Sequence, residues 1–349
     1  MNNLGAEIQP QFQSQTLFKL KQLIETANKI LIFSHENPDP DAFGSAAGMG
    51  LCLRKLGKEV LFINPSDISS TDLDFIATVS ETIRDIPVDY APDAVFMLDC
   101  GDISRVGDNL KQKIINLSSA PLVNIDHHIS NDLYGSINIV DTAASSTAEI
   151  IVALISELNL PIDAAIASAL YCGILADSGS FRYSCVRPYT FMAALTCVKH
   201  GAEPALLAKQ LYSRSSLERV KLHATALQKM SLHCQNKLAF VVVNEEDYVL
   251  NNASSDDCEG LAEKARDIAG VIVSVLIKKD SKLEDGQEIP IWKISMRSKS
   301  DLVDLSSLAQ SFGGGGHKAA AAFRYRKDLS QLQSELLRAL EPILSELSA

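Results

Sequence analysis

Apolar residues at Leu17, Leu20, Ile24 and Ala27 recur at the helical interval and predict a helix over residues 16–28. The pattern then tightens. Lys29–Phe33 reads KILIF, a short apolar run that predicts a strand, and Ala42–Leu56 returns to a helix that Gly57 stops. Val60–Ile63, Ala94–Leu98 and Leu122–Ile125 repeat the strand signal, and strand and helix alternate to about residue 160. Such alternation predicts an α/β fold built on a doubly wound, mostly parallel sheet. Pro161–Ala176 is apolar throughout and predicts a helix that ends at Asp177.

From about residue 188 to 233 the pattern is wholly helical, with Arg, Lys and Ser outward in Ser213–Arg219. Beyond it come strands at Leu238–Val243, Val271–Ile277, Ile291–Met296 and Ala321–Tyr325. Between them lie a helix at Asp256–Ile268, a polar turn at Asp285–Gly286, a short helix and a glycine run at 313–316. The amphipathic helix Leu329–Leu344 closes the chain. The expected organisation is two domains: residues 1–190, a helical connector at 191–235, and a smaller α/β domain at 236–349.

Composition agrees with two cores. The 349 residues are 46% hydrophobic and 21% charged, ordinary values for globular domains. A net charge of −11 argues against a protein that coats long duplex nucleic acid, because such proteins carry a basic footprint. A small phosphorylated substrate stays open, since a local metal site outweighs the average field. The seven cysteines are odd in number and include no C-x-x-C pair, which predicts reduced core thiols in a cytoplasmic protein. No secretory signal and no run of about 18 apolar residues is visible, so no membrane span is expected.

The chemistry lies where the strands end. His35, Asp39 and Asp41 follow the first strand, in a loop stiffened by Pro38 and Pro40. Asp41 stands just before the predicted helix and could equally be its N-cap. Asp99 ends an otherwise apolar strand, and Asp126-His127-His128 ends the next. Asp99 alone could be a turn residue. Two adjacent imidazoles after an aspartate suit one metal ligand and one substrate contact, with Asp126 orienting the ligand. Asp177 at a helix C-terminus opposes the macrodipole and needs a positive partner.

Isolated buried carboxylates are costly, so several converging on one sheet edge point to cations. The set is oxygen-rich, with imidazole and no thiolate, which favours Mn²⁺, with Mg²⁺ or Co²⁺ as substitutes, over structural zinc. Two such ions suit hydrolysis of a phosphoester or phosphoanhydride. In the second domain, Gly313, Gly314, Gly315 and Gly316 run into His317. A flexible linker or an anion clamp would both read this way. Arg297 and His317 are candidates to pair with phosphate or stack on a base. His200, His223 and His233 lie on predicted helices and are read as surface or capping residues.

The ordered motifs HxxxDxD, LDCGD, DHH, ADSGSF and GGGGH resemble the DHH phosphoesterase superfamily, and within it the two-domain nano-RNase group. The resemblance covers nearly the whole chain. It implies a catalytic DHH domain, a DHH-associated substrate domain and an active-site cleft between them. It further implies two Mn²⁺, one held by His35, Asp39 and Asp99, the other by Asp41, Asp99, His127 and Asp177, with Asp99 bridging. Asp126 would orient His127, and His128 would contact the scissile phosphate as an acid. Arg297, Gly313–Gly316 and His317 would grip the terminal nucleotide. Two positions depart from the family pattern: Pro40 replaces a usual glycine, and Ala319–Ala322 runs on where a glycine is usual.

The implied activity is hydrolysis of very short single-stranded RNA and dephosphorylation of 3′-phosphoadenosine 5′-phosphate (pAp). The competing readings are a phosphodiesterase for cyclic di-AMP or linear pApA, a manganese pyrophosphatase, and a non-catalytic nucleotide-binding protein. A homodimer through the first domain is the expected assembly.

Overall fold

Unbroken apolar runs decide the first layer, because a strand inside a parallel sheet must bury both of its faces. The computed structural model describes residues 12–66, 73–76, 81–284, 287–300, 302–316 and 318–347. Helix α1 (Ser14–Thr26) leads into β1 (Lys29–Phe33), α2 (Pro40–Lys55) and β2 (Glu59–Ile63). Then come β3 (Ala94–Leu98), α3 (Asp108–Asn116), β4 (Leu122–Asp126) and β5 (Ile137–Val140). Helices α4 (Thr147–Glu157), α5 (Ala164–Asp177), α6 (Pro188–Lys199) and α7 (Pro204–Tyr212) complete this part.

The strands form one parallel sheet in the order β2-β1-β3-β4-β5. Ile30, Ile32, Phe96 and Leu98 pack on one side against Leu20, Ala47 and Leu170, from α1, α2 and α5. Leu31, Phe33, Val95 and Met97 pack on the other side against Leu110 and Ile114 of α3. The sheet is therefore covered on both faces, as the continuous apolar runs predict. Strand order reverses between β1 and β3, which opens a crevice beyond their C-terminal ends. The two loops leaving that crevice carry His35–Asp41 and Asp99.

Helices α2 and α5 touch backbone to backbone. A Cβ on Gly44 would lie 2.4 Å from the Ala169 carbonyl oxygen, and one on Gly173 would lie 2.5 Å from Asp41 Oδ1. Only hydrogen fits at either place. Helix α2 begins at Pro40 rather than at Ala42, and Asp39 rather than Asp41 is its N-cap. Proline is favoured at the first helical position, where its missing N–H would have no partner anyway, so Pro40 is well placed.

The chain divides into two units between Arg214 and Ser215. The second holds α8 (Leu217–Gln228), β6 (Ser231–His233), β7 (Leu238–Val243), α9 (Glu245–Asn251) and α10 (Leu261–Arg266). It continues with β8 (Val273–Glu284), β9 (Gln287–Ser298), α11 (Leu305–Ser311), β10 (Gly315–Gly316), β11 (Ala320–Tyr325) and α12 (Leu329–Glu346). Its six strands run β10-β11-β9-β8-β7-β6, and only β7 and β8 are parallel neighbours. Leu332, Leu336, Leu340 and Leu344 of α12 cover one face over Ile294, Met296 and Phe323. Leu222 of α8 with Leu261 and Ala265 of α10 covers the other over Ala239, Val241 and Leu276.

The stretch 188–233 is not wholly helical, because Ser231–His233 pairs with β7 as an edge strand. The polar turn expected at Asp285–Gly286 lies outside the described residues. No helix among the described residues is long and apolar enough to cross a membrane.

We expect Gly44→Ala to cost about 1–3 kcal/mol, because the added methyl group forces α2 and α5 apart. Urea unfolding of the variant against the parent protein measures it. An unchanged midpoint would mean that the helices separate freely.

Candidate metal centre

Asp99 sits where β3 ends, with φ at 58°, a left-handed conformation that costs a non-glycine residue roughly 1–3 kcal/mol. Its carboxylate is buried and faces two ways. Oδ2 lies 3.7 Å from His35 Nε2, and Oδ1 lies 3.5 Å from His127 Nε2. Thr147 donates its hydroxyl to Oδ1 at 2.8 Å.

The His35 ring is fixed by its other nitrogen. Nδ1 donates to the Glu36 carbonyl at 2.9 Å, which leaves the Nε2 lone pair facing Asp99 and Asp39. Asp39 divides its two oxygens. Oδ1 caps α2 by accepting the Asp41 and Ala42 N–H groups at 3.0 and 2.9 Å, and Oδ2 stands 3.8 Å from His35 Nε2. Asp39 thus takes the capping place expected of Asp41, and its second oxygen remains turned toward His35.

Asp41 is fully buried and aimed at the N-terminus of α4. Thr147 N–H reaches its Oδ2 at 2.7 Å, and Ala148 N–H and the Ser45 hydroxyl reach Oδ1 at 3.0 and 3.2 Å. On the opposite side His127 Nε2 lies 3.3 Å from Asp177 Oδ2, which gives the helix-end carboxylate its partner. Two groups of potential ligands result: His35, Asp39 and Asp99, and Asp41, His127 and Asp177. Asp99, His127 and His128 also converge.

Asp126 does not orient the His127 ring. Its Oδ1 accepts His128 Nδ1 at 2.6 Å and touches His127 only through the backbone N–H, at 2.9 Å. Asn131 donates to Oδ2 at 2.5 Å. Burial works against ionising Asp126, but these bonds, His128 first, outweigh it and hold the carboxyl below its ordinary range.

Electrostatics leave the cluster short of positive charge. Among the described residues, no lysine or arginine forms an ion pair with Asp39, Asp41, Asp99, Asp126 or Asp177. Burial, followed by the charges of Asp99 and Asp177, raises the Asp41 carboxyl well above the ordinary value. Burial pushes Asp177 up to about 6, although His127 partly offsets it. Burial opposes protonation of His127, yet Asp177, Asp99 and Asp41 prevail and raise it well above the usual imidazole value. His35 Nε2 is buried with no hydrogen-bond partner. An orphaned imidazole nitrogen among carboxylates at these spacings fits divalent cations in the missing place.

Sequence reasoning missed the supports. Glu149, wholly buried in the first turn of α4, accepts Ser145 Oγ at 2.6 Å, Thr190 Oγ1 at 2.7 Å and Arg187 Nε at 2.8 Å. Arg187 Nη2 also holds Asp141, at 2.5 Å. This clamp fixes the start of α4, and through it Asp41 and Asp99. The usable signal is Ser146-x-x-Glu149 ahead of an apolar run, a capping pattern.

In the second unit, Arg297 on β9 gives its Nε to Glu263 of α10 at 2.6 Å, so it is braced rather than free. Gly315 and Gly316 pair with Ala322 and Ala321 as a short strand, so the glycine run is not a linker. A Cβ on Gly314 would meet the Ala322 carbonyl oxygen at 2.2 Å. His317 lies outside the described residues.

His200 keeps the surface and capping place expected of it, whereas the other two histidines differ from expectation. His233 is on strand β6. His223 is buried, donating from Nε2 to the Asp257 carbonyl at 2.8 Å and accepting Lys264 at Nδ1 at 2.7 Å. His200 ends α6.

Residues 29–174 match the DHH family, N-terminal domain. The chain belongs to the DHH family. Residues 235–346 match the DHHA1 domain. The chain is 28% identical over 343 residues to the bifunctional oligoribonuclease and PAP phosphatase NrnA of Thermus thermophilus, covering 98% of each. It is 27% identical to the NrnA of Bacillus subtilis, over 87% of this chain and 91% of that one. The fold is that of an exopolyphosphatase-related protein from Bacteroides fragilis, with TM-score 0.85, 23% identity and coverage of 96% and 98%.

Thr147→Val removes the hydroxyl on Asp99 while keeping the shape, and should weaken cation affinity about 10–100-fold. Calorimetric titration with Mn²⁺ reads the loss, and unaltered affinity would show that the hydroxyl has no orienting part. A cation must displace the protons that Asp177 and His127 retain, because both hold them to higher pH than usual. Affinity should therefore fall as pH drops through about 6, and binding enthalpy should depend on the buffer's own ionisation heat. Equal affinity at about pH 5 and about pH 7.5 would contradict this.

Proposed function

We propose that this DHH-family chain is a cation-dependent phosphoesterase that hydrolyses very short single-stranded RNA to mononucleotides and removes a phosphate from pAp. The observation that carries the reading is Asp99, whose two oxygens face two separate histidine–carboxylate groups. The relatives named for both activities support the substrate pair, since their likeness runs through both domains.

In this reading His35, Asp39 and Asp99 hold one cation, and Asp41, Asp99, His127 and Asp177 hold the other. Mn²⁺ is the preferred ion, with Mg²⁺ or Co²⁺ as substitutes, because the donors are carboxylate and imidazole without thiolate. When bound, the cations supply the positive charge that draws in a phosphate and acidifies water. The chain's own groups do the rest. Asp126 keeps the His128 ring turned so that Nε2 faces outward from the pair. His128 takes up a proton at Nε2 to become imidazolium and gives that proton to the departing oxygen. Thr147 and the N-terminus of α4 keep Asp99 and Asp41 from turning away. Arg297, the backbone of Gly313–Gly316 and His317 receive the terminal nucleotide and its phosphate.

Asp99→Asn should abolish Mn²⁺-dependent cleavage of a 5′-labelled RNA trinucleotide and of pAp. Its unfolding midpoint in EDTA should hold or rise, because one of several repelling charges has gone. Turnover by this variant at the parental rate would sink the reading. A parent protein that binds Mn²⁺ yet hydrolyses neither substrate would move the assignment to cyclic dinucleotides.

A further inference from the structure

Arg105 reaches His128 and, among the described residues, pairs with no carboxylate. It sits in a 3-10 turn, Ile103–Val106, shortly after Asp99. The turn is rigidly placed. Asp102 caps it by accepting Ser104 N–H at 2.6 Å, and the Arg105 carbonyl accepts Glu36 N–H at 2.7 Å, which ties it to the loop bearing His35. From there Arg105 Nη1 reaches His128 Nε2 at 3.4 Å, a long contact that uses one of five guanidinium N–H groups.

A structural arginine in the same domain looks different. Arg187 is engaged by Glu149 at 2.8 Å and by Asp141 at 2.5 Å. Arg105 stands among acidic residues, and its charge acts on both Asp39 and His35 without closing on a carboxylate. Arg105 therefore tempers the charge of the cluster from a distance, while no carboxylate among the described residues engages its N–H groups. A half-buried guanidinium with most of its donors open, beside an imidazole nitrogen that also has to meet substrate, suits an incoming phosphoryl group. Its planar fork matches two non-bridging oxygens.

We propose that Arg105 is a further catalytic residue, which grips the non-bridging oxygens of the phosphoryl group under attack. This rests on the phosphoesterase reading above. The contact strengthens as charge gathers on those oxygens, so its loss should lower kcat more than it raises KM. The same group serves RNA and pAp, because both present a phosphoryl group there.

The test compares Arg105→Gln, Arg105→Lys and Arg105→Ala with the parent protein in three measurements. They are turnover of RNA trinucleotide and pAp, calorimetric Mn²⁺ affinity, and binding of inorganic phosphate to the Mn²⁺-loaded protein. For Arg105→Gln we expect kcat/KM to fall about 10²–10³-fold on both substrates, with Mn²⁺ affinity unchanged and phosphate binding weakened. Arg105→Lys should recover part of the loss, and millimolar guanidinium should restore some turnover to Arg105→Ala. Parental turnover and phosphate binding in Arg105→Gln would overturn the assignment. So would a loss of turnover matched by a loss of Mn²⁺ affinity, which would make Arg105 a support of the metal ligands. Should the parent protein hydrolyse neither substrate, the reading as an RNA and pAp hydrolase fails, and phosphate binding alone then decides whether Arg105 holds an anion.

Discussion

Repulsion among carboxylates crowded at the C-terminal edge of one parallel sheet is the constraint around which the N-terminal domain is arranged. Asp39 and Asp41 arrive together and Asp99, Asp126 and Asp177 from separate chain segments, and no lysine or arginine pairs with them among the described residues. Imidazoles and helix ends supply partial compensation. His127 answers Asp177, His128 answers Asp126, and backbone N–H groups of α2 and α4 answer Asp39 and Asp41. The remaining deficit appears as raised proton affinity at Asp41, His127 and Asp177, and as the unpartnered Nε2 of His35. Divalent charge removes both at once.

Holding those side chains in place against their repulsion requires a stiff scaffold. Helix α2 can bring Asp39 and Asp41 into the crevice because Gly44 lets it lie directly on α5, which delivers Asp177. Helix α4 points its N-terminus at Asp41 and its Thr147 hydroxyl at Asp99, and the Glu149–Arg187 clamp prevents that helix from shifting. Arg187 lies far along the chain from most of the candidate ligands near that helix. A ligand set drawn from strand ends can thus be rigid only if the helices between the strands are equally so.

Much of this is legible in the order of residues along the chain. The strands Lys29–Phe33 and Ala94–Leu98 fall where the apolar runs lie, because a strand buried on both faces needs an unbroken apolar stretch. The candidate ligands stand out because several Asp and His gather at the ends of such runs, although each alone could cap a helix or make a turn. Boundaries and partners are less visible. Helix α2 starts two residues early because Asp39 rather than Asp41 turns back to cap it, and a cap depends on local dihedral angles. The pairing of Asp126 with His128 instead of His127 is a choice of ring rotamer. Ser231–His233 joins a sheet because β7 offers an open edge, which no local propensity records.

The sequence by itself determined the α/β class, the parallel sheet and the residue types of the candidate metal centre, since apolar period and charge placement are properties of the chain alone. Tertiary structure decided which oxygen faces which nitrogen. Asp99 became a pivot because strand order reverses between β1 and β3 and leaves its carboxylate between His35 and His127. Thr147, Glu149, Arg187 and Arg105 were placed in the same way, by contacts with segments distant in sequence. Thr, Glu and Arg are common on any surface, so nothing marks them until packing removes the solvent and leaves each with few partners to choose from.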